Sequence, residues 1–149
     1  ALKGLNKIIP KDLNPENKER LTNNFDASIT YSRQIGNIYT GSLYLGLLSL
    51  LEQSQDLKAG DKIGFFSYGS GAVSEIFSGR LVEGYKDLLR SDRLDTFAKR
   101  QPLSVADYEK LFYEEAQLDD TGSTQFTDYQ TGAFRLAEIS EHQRIYKGN

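Results

Sequence analysis

The chain has 149 residues, of which 38% are hydrophobic and 26% charged, and its net charge is −3. This composition is typical of one globular domain and argues against a disordered chain or a nucleic-acid partner, which usually requires a basic surface. The lack of cysteine excludes disulfides, thiolate metal sites and a cysteine nucleophile within these residues. No apolar run is long enough for a signal peptide or a membrane span, so we expect a cytoplasmic protein without a membrane partner.

The first predicted helix begins at Pro15. Asn14 is a suitable N-cap, proline fits the first helical position, and Glu16 is an acid in the first turn. Apolar residues then recur at helical spacing as far as Tyr31. Gly36 is expected to end this helix as a left-handed cap.

A second, leucine-rich helix is predicted over residues 42–52. Its apolar side chains cover nearly every direction around the axis, so we expect it to be buried on almost all sides. The small residues Gly41, Ser42, Gly46 and Ser49 should let a neighbouring backbone approach closely. A small isolated domain has difficulty covering such a helix, and the isolated chain is therefore expected to self-associate or to leave apolar surface uncovered.

The next segment is predicted to be an antiparallel hairpin over residues 62–77. Residues 62–68 are short, apolar and aromatic, as expected for a buried strand, and residues 72–77 form the second strand. The turn between them is glycine-rich and carries Ser70 at its tip. Leu81 and Val82 are expected to continue the extended path.

Two further helices are predicted after the hairpin. One covers residues 85–97 and is ended by Pro102. The other begins at Val105, where Ser104 is the expected N-cap, and runs to about Glu115.

The C-terminal part is predicted to contain a polar loop over residues 118–131 and a late strand over residues 134–139, with a helix as the alternative for the latter. His142, the only histidine, is expected to be solvated in a polar tail. A single histidine cannot form a metal site, and the acidic residues lack ligand spacing, so no metal is expected.

Two polar residues beside glycines are candidates for chemistry. Asn37 precedes the leucine-rich helix, where its amide can donate to a carbonyl oxygen or a developing oxyanion, although the same letters fit an ordinary turn and cap. Ser70 can present a hydroxyl or its N–H from a tight turn, although a hairpin turn alone explains it. A serine nucleophile is not expected, since no histidine base is in prospect. Tyr39 and Tyr68 fit either a pocket wall or the core.

Residues 36–44 (GNIYTGSLY) and 66–71 (FSYGSG) together resemble the bacterial 3-hydroxy-3-methylglutaryl-CoA synthases, and residues 81–85 (LVEGY) continue the likeness. The resemblance implies an α/β fold, namely the C-terminal part of a thiolase-like layered fold with an incomplete core. It further implies that the whole chain, 1–149, is one fragment in which residues 1–85 end the core fold and residues 86–149 form a family-specific region.

The resemblance also implies an acyltransferase of the mevalonate pathway that condenses acetyl-CoA with acetoacetyl-CoA and water, works as a homo-oligomer and needs no cofactor, because the CoA thioesters are substrates. The family's cysteine, glutamate and histidine are expected upstream of this chain, so it should hold no catalytic residue and be inactive alone. Matched position by position, Asn37 and Ser70 correspond to residues that contact the acyl portion, and Lys3 to a basic residue that helps bind the CoA ester.

Two alternatives remain open. A thiolase-like condensing enzyme of the ketoacyl synthase type also has Gly-Asn before a helix and a late glycine-rich hairpin. The other alternative is a noncatalytic interaction module that uses its apolar helix to bind a partner.

Overall fold

The computed structural model describes residues 2–69, 71–128 and 132–148, without the side chains of residues 2, 3 and 8. The chain divides into two compact units, Ala1–Asp92 and Arg93–Asn149. The first unit contains helices α1 (Leu2–Ile8), α2 (Pro15–Ile35) and α3 (Gly41–Gln53), strands β1 (Lys62–Gly69) and β2 (Val73–Arg80), and a 3₁₀ helix (Tyr85–Leu88). The second contains helices α4 (Arg93–Ala98) and α5 (Val105–Tyr113) and strands β3 (Thr124–Gln125), β4 (Phe134–Ser140) and β5 (Gln143–Gly148).

The start of α2 confirms the prediction from its capping sequence. The side chain of Asn14 accepts a hydrogen bond from the N–H of Asn17 at 2.8 Å, and proline occupies the first helical position. At the other end Gly36 does follow the helix, but its φ of 85° and ψ of −163° do not form a left-handed cap. The expected cap is wrong because the backbone at Gly36 is extended where it leaves the helix. This combination of a positive φ with an extended ψ is open essentially to glycine alone.

Helices α2 and α3 pack closely through small residues, as predicted. A Cβ atom on Gly46 would lie 3.5 Å from the carbonyl oxygen of Ser28. Ser49 is fully buried, and its hydroxyl donates to the carbonyl oxygen of Ala27 and accepts from the N–H of Tyr31 at 3.2 Å. Ala27 and Tyr31 are four residues apart in α2 and their backbone groups face each other across one helical turn, so the hydroxyl lies against that turn.

The predicted all-round burial of α3 is wrong. Only Ser49 is buried on this helix, the leucines are half-buried, and Tyr44 is 62% exposed. The reason is that α3 packs on α2 and, less extensively, on β1, which leaves other directions of its apolar surface uncovered. This agrees with the expectation that the chain alone covers the helix poorly.

The predicted hairpin is confirmed, and its second strand is longer than expected. β1 and β2 pair antiparallel from Lys62 opposite Arg80 to Gly69 opposite Val73. Phe65 and Phe77 face each other across the ladder, with ring centroids 4.8 Å apart. All of β2 is exposed. The tip residue, Ser70, lies outside the described residues.

The single helix predicted over residues 85–97 is wrong, because the segment is divided into the 3₁₀ helix and α4. Leu89 is extended between them, and the N–H of Arg90 donates to Glu52 at 3.1 Å. This contact with α3 competes with a continuous helix. The start of α5 is confirmed, since the Ser104 side chain accepts from the N–H of Asp107 at 3.1 Å, but the helix ends at Tyr113, two residues before the expected end.

The second unit contains more sheet than predicted. β4 confirms the late strand, but the predicted loop includes β3, and the polar tail forms β5. The three strands form an antiparallel sheet in the order β3-β4-β5, with Thr124 opposite Ile139. Glu141 and His142 form the two-residue turn between β4 and β5, and both have positive φ. His142 is exposed, as expected, but it lies in a hairpin turn. No described helix combines the length and apolar character that crossing a membrane requires.

Candidate functional site

An open cavity of about 850 Å³ lies within the first unit, between α2, α3 and β1. This volume is in the range of small-molecule sites. Its walls are mainly apolar, and the polar side chains on them are hydroxyls and one amide. The lining includes Ile29, Leu43, Leu47, Leu50, Ile63 and Phe65, together with Ser28, Ser32, Asn37, Ser42, Ser67 and Tyr68.

Asn37 lies at this cavity, in the turn that joins α2 to α3. Its Oδ1 accepts hydrogen bonds from the N–H of Tyr39 at 2.9 Å and from the hydroxyl of Ser42 at 3.0 Å. A backbone N–H can only donate, so the atom facing Tyr39 is the amide oxygen and the orientation of the amide is determined. The amide nitrogen, Nδ2, has no hydrogen-bond partner within the part of the chain that the structure describes.

The sequence left two interpretations of Asn37, a turn residue and a hydrogen-bond donor, and they concern different atoms of the side-chain amide. Its oxygen makes the turn, because a hydrogen bond from residue i+2 is typical of an Asx turn. Tyr39, the residue that donates, has a φ of 56°, which a non-glycine residue adopts at a cost unless the local structure holds it. The nitrogen keeps both of its hydrogens available for donation within the described part of the chain.

Ser42 completes this arrangement and was not among the predicted site residues. Its Oγ accepts from the N–H of Ile38 at 2.9 Å and donates to Asn37. Ser42 follows Asn37 by five residues, a spacing that corresponds to no common capping pattern. Its small size was noticed in the sequence, but its contact with the amide depends on how the turn folds.

Tyr39 and Tyr68 both line the cavity, and neither belongs to the core. Their side chains are 89% and 70% exposed, respectively. The pocket-wall interpretation is therefore the one that fits the fold.

The other two predicted site residues are only partly placed. Ser70 lies outside the described residues, although its neighbour Gly69 lines the cavity. Lys3 belongs to α1, but its side chain is not in the described part. Their roles stay predictions.

The cavity lining has no acidic, basic or histidine side chain among the described residues. The described ranges also contain no cluster of three or more histidines or carboxylates able to hold a metal ion. Hydroxyls, one amide and apolar walls suit a neutral acyl group, because they can hydrogen-bond its carbonyl oxygens and cover its carbon atoms. These residues can orient such a group or stabilise charge on its oxygen, but they include no carboxylate, histidine or lysine for proton transfer.

Comparison with known proteins identifies the family to which the chain is related. The family model for the C-terminal domain of hydroxymethylglutaryl-coenzyme A synthase matches residues 4–147. Hydroxymethylglutaryl-CoA synthase from Enterococcus faecalis is 52% identical over 103 residues, which are 68% of this chain and 27% of that protein. A crystal structure of an HMG-CoA synthase complexed with CoA matches with a TM-score of 0.86 and 64% identity, over 99% of this chain and 38% of that one.

A more distant match is the HMG synthase of the curacin biosynthetic pathway in complex with an apo donor acyl carrier protein (ACP), with a TM-score of 0.70 and 27% identity over 93% of this chain and 37% of that one. The architecture is thus that of the C-terminal part of a thiolase-like α/β fold. Within that class, the chain belongs to the hydroxymethylglutaryl-CoA synthase family, and the resemblance found in the sequence is confirmed. It spans 27% of the Enterococcus relative and 38% of the CoA-complexed structure.

Proposed function

We propose that the chain is the C-terminal part of an acyltransferase that condenses acetyl-CoA with acetoacetyl-CoA and water to give 3-hydroxy-3-methylglutaryl-CoA and CoA, a reaction of the mevalonate pathway. The observation that carries the proposal is the Asn37 amide, whose oxygen is held by the turn and whose nitrogen is left to donate at a neutral cavity. The 64% identity to a synthase solved with CoA supports it.

In this reaction the methyl group of the acetyl unit loses a proton, and its carbon forms a bond to the ketone carbon of the acetoacetyl group. The electron pair of the ketone C=O moves to oxygen as an alkoxide that takes up a proton, and water cleaves the thioester of the acetyl unit. We propose that Asn37 Nδ2 donates to the ketone oxygen, since a preorganised donor is most effective where charge develops. Ser70 is proposed to contact the same acyl portion from the hairpin tip, and Lys3 to help bind the CoA ester.

These residues alone are proposed to be inactive. The chain has no cysteine to be acetylated, and no carboxylate, histidine or lysine lines its described cavity. The nucleophile and the proton-transfer groups therefore belong to other parts of the complete enzyme. For that enzyme we further propose that CoA thioesters are the substrates and that no separate cofactor is needed. We also propose that it is a homo-oligomer in the cytoplasm. Within this chain, we propose a boundary near residue 85 between the core fold and the family-specific region.

The test is Asn37→Asp in the complete enzyme. Aspartate keeps an oxygen that accepts from Tyr39 and Ser42 but replaces the donating nitrogen, so the turn is retained and the donor is lost. We expect kcat with acetoacetyl-CoA to fall by about 10²–10³, the usual effect of removing one oxyanion donor. Asn24→Asp is the matched control, because Asn24 Oδ1 accepts from Ser54 outside the cavity lining. Unchanged kinetics in Asn37→Asp would refute the assigned role.

The carrier of the acyl group is a separate question. The relative solved with an ACP is much less similar to this chain than the relative solved with CoA, with 27% against 64% identity. We therefore expect the complete enzyme to turn over acetoacetyl-CoA in preference to acetoacetyl-ACP. Preference for the ACP substrate would assign the chain to the carrier-dependent enzymes, and no turnover of either would favour a noncatalytic module.

A further inference from the structure

We propose that Ser42 is a positioning residue that acts through Asn37 and sets the direction of its amide donor. This inference rests on the proposed function, because it concerns how the donor assigned there is oriented. The residues that carry it are Asn37, Ser42, Ile38 and Tyr39, all in the turn at the start of α3.

The direction of each hydrogen bond in this group follows from the number of hydrogens available. The N–H of Ile38 donates to Ser42 Oγ at 2.9 Å, so the serine oxygen acts there as an acceptor. The hydroxyl has one hydrogen, and its remaining contact is Asn37 Oδ1 at 3.0 Å. Because the asparagine oxygen is fixed by the N–H of Tyr39, the hydroxyl donates and the amide oxygen accepts.

Asn37 Oδ1 is therefore held at two points by donors from different directions. Rotating the amide by half a turn would place its NH₂ group against the N–H of Tyr39, where two donors would face each other. The amide thus has one favourable orientation, and the free hydrogens of Nδ2 have a defined direction. Without the Ser42 hydroxyl a single hydrogen bond would remain, about which the side chain can swing.

The loss of this hydroxyl should affect reaction more than folding. Asn37 and Ile38 are exposed, so water can replace the missing bonds at little cost in stability. Water cannot restore the direction of the donor, and a misplaced catalytic group loses much of its effect. A purely structural serine would show the opposite behaviour.

The test measures kcat and KM of the complete enzyme for acetoacetyl-CoA. Ser42→Ala should lower kcat/KM by about tenfold, as expected for one lost orienting hydrogen bond, whereas Ser42→Thr, which keeps the hydroxyl, should retain most of it. In an Asn37→Ala background, Ser42→Ala should cause no further loss, because the group that it orients is gone. Ser54→Ala is the control: it removes a hydroxyl that donates to Asn24 just after the far end of α3, and should leave kcat/KM unchanged.

Each outcome decides the proposal. An equal loss from Ser42→Ala with and without the Asn37 side chain would overturn it, because Ser42 would then act independently. Normal kinetics of Ser42→Ala combined with a defective Asn37→Asp would overturn it while leaving the proposed function intact. Normal kinetics of Asn37→Asp would refute both the role proposed for Asn37 and the role proposed for Ser42. If Ser42→Ala does not fold, Ser42 is a structural residue and the proposal fails.

Discussion

At the scale of single residues, the second unit contains an aspartate loop that holds a neighbouring turn. Asp119 Oδ1 accepts from the hydroxyl of Thr121 at 2.6 Å and from the N–H groups of Thr121 and Ser123, both at 2.9 Å. Gly122, inside the loop, has a φ of 75°, and a Cβ there would lie 2.4 Å from the imidazole of His142. The N–H of His142 donates to the Gly122 carbonyl at 3.0 Å, so the loop and the β4–β5 turn are joined.

This loop should weaken in acid. The hydrogen bond from the Thr121 side chain, followed by the backbone bond from Ser123, lowers the pKa of Asp119 below its ordinary value of 3.8. A depressed pKa in the folded state means that the stabilisation is present above the unfolded value and is lost as the pH falls through the folded one. We expect the amide protons of Thr121 and Ser123 to lose protection from exchange only as the pH falls below 3.8. Asp119→Asn, which accepts without a charge, should show no such dependence; an identical acid profile in both proteins would contradict the assignment.

At the scale of helices and strands, the sequence predicted those features whose causes are local. The starts of α2 and α5 are determined by Asn14 and Ser104, each of which caps an N–H three residues later. β3 and β5 were missed because their stability comes from pairing with β4, and no short window of sequence contains that information. Asn37 was recognised from its place before a helix, whereas the role of Ser42 follows from the folded turn.

The contact between α2 and α3 gives a prediction at this scale. Ser49→Ala should lower the free energy of unfolding, because the hydrogen bonds of the buried hydroxyl are lost. The loss should be only about 1 kcal/mol, since the backbone groups of Ala27 and Tyr31 can pair with each other. Ser49→Val should cost more, roughly 2–4 kcal/mol, since its branched side chain overpacks this fully buried contact. Urea unfolding of both variants measures the difference. A valine variant as stable as the alanine variant would show that the contact has room for a larger side chain.

At the scale of the whole molecule, the first unit exposes several large apolar side chains. Tyr44 on α3, Phe66 on β1 and Val73 and Ile76 on β2 are between 56% and 76% exposed. A two-stranded sheet is only marginally stable when nothing covers it. The relatives are longer chains, of which this one spans 27–38%, and we propose that their remaining parts cover this surface.

The 149 residues expressed alone should therefore behave differently from the complete enzyme. We expect them to bind an apolar fluorescent dye and to sediment as associated species, because exposed apolar surface drives association. The complete enzyme, in which these side chains are proposed to be covered, should bind much less dye and is the comparison sample. A compact monomer of the 149 residues without dye binding would contradict this prediction.

Ser49 lies in the middle of α3, and its buried hydroxyl bonds to the backbone of Ala27 and Tyr31 in α2. Both helices form walls of the cavity. A contact of this kind acts as a pivot, since rocking of one helix on the other preserves it, while sliding breaks it. Rocking moves the helix ends furthest, and the turn with Asn37 joins two of those ends. We therefore expect residues distant from Asn37 to alter, through the angle between these helices, how readily a ligand enters the cavity.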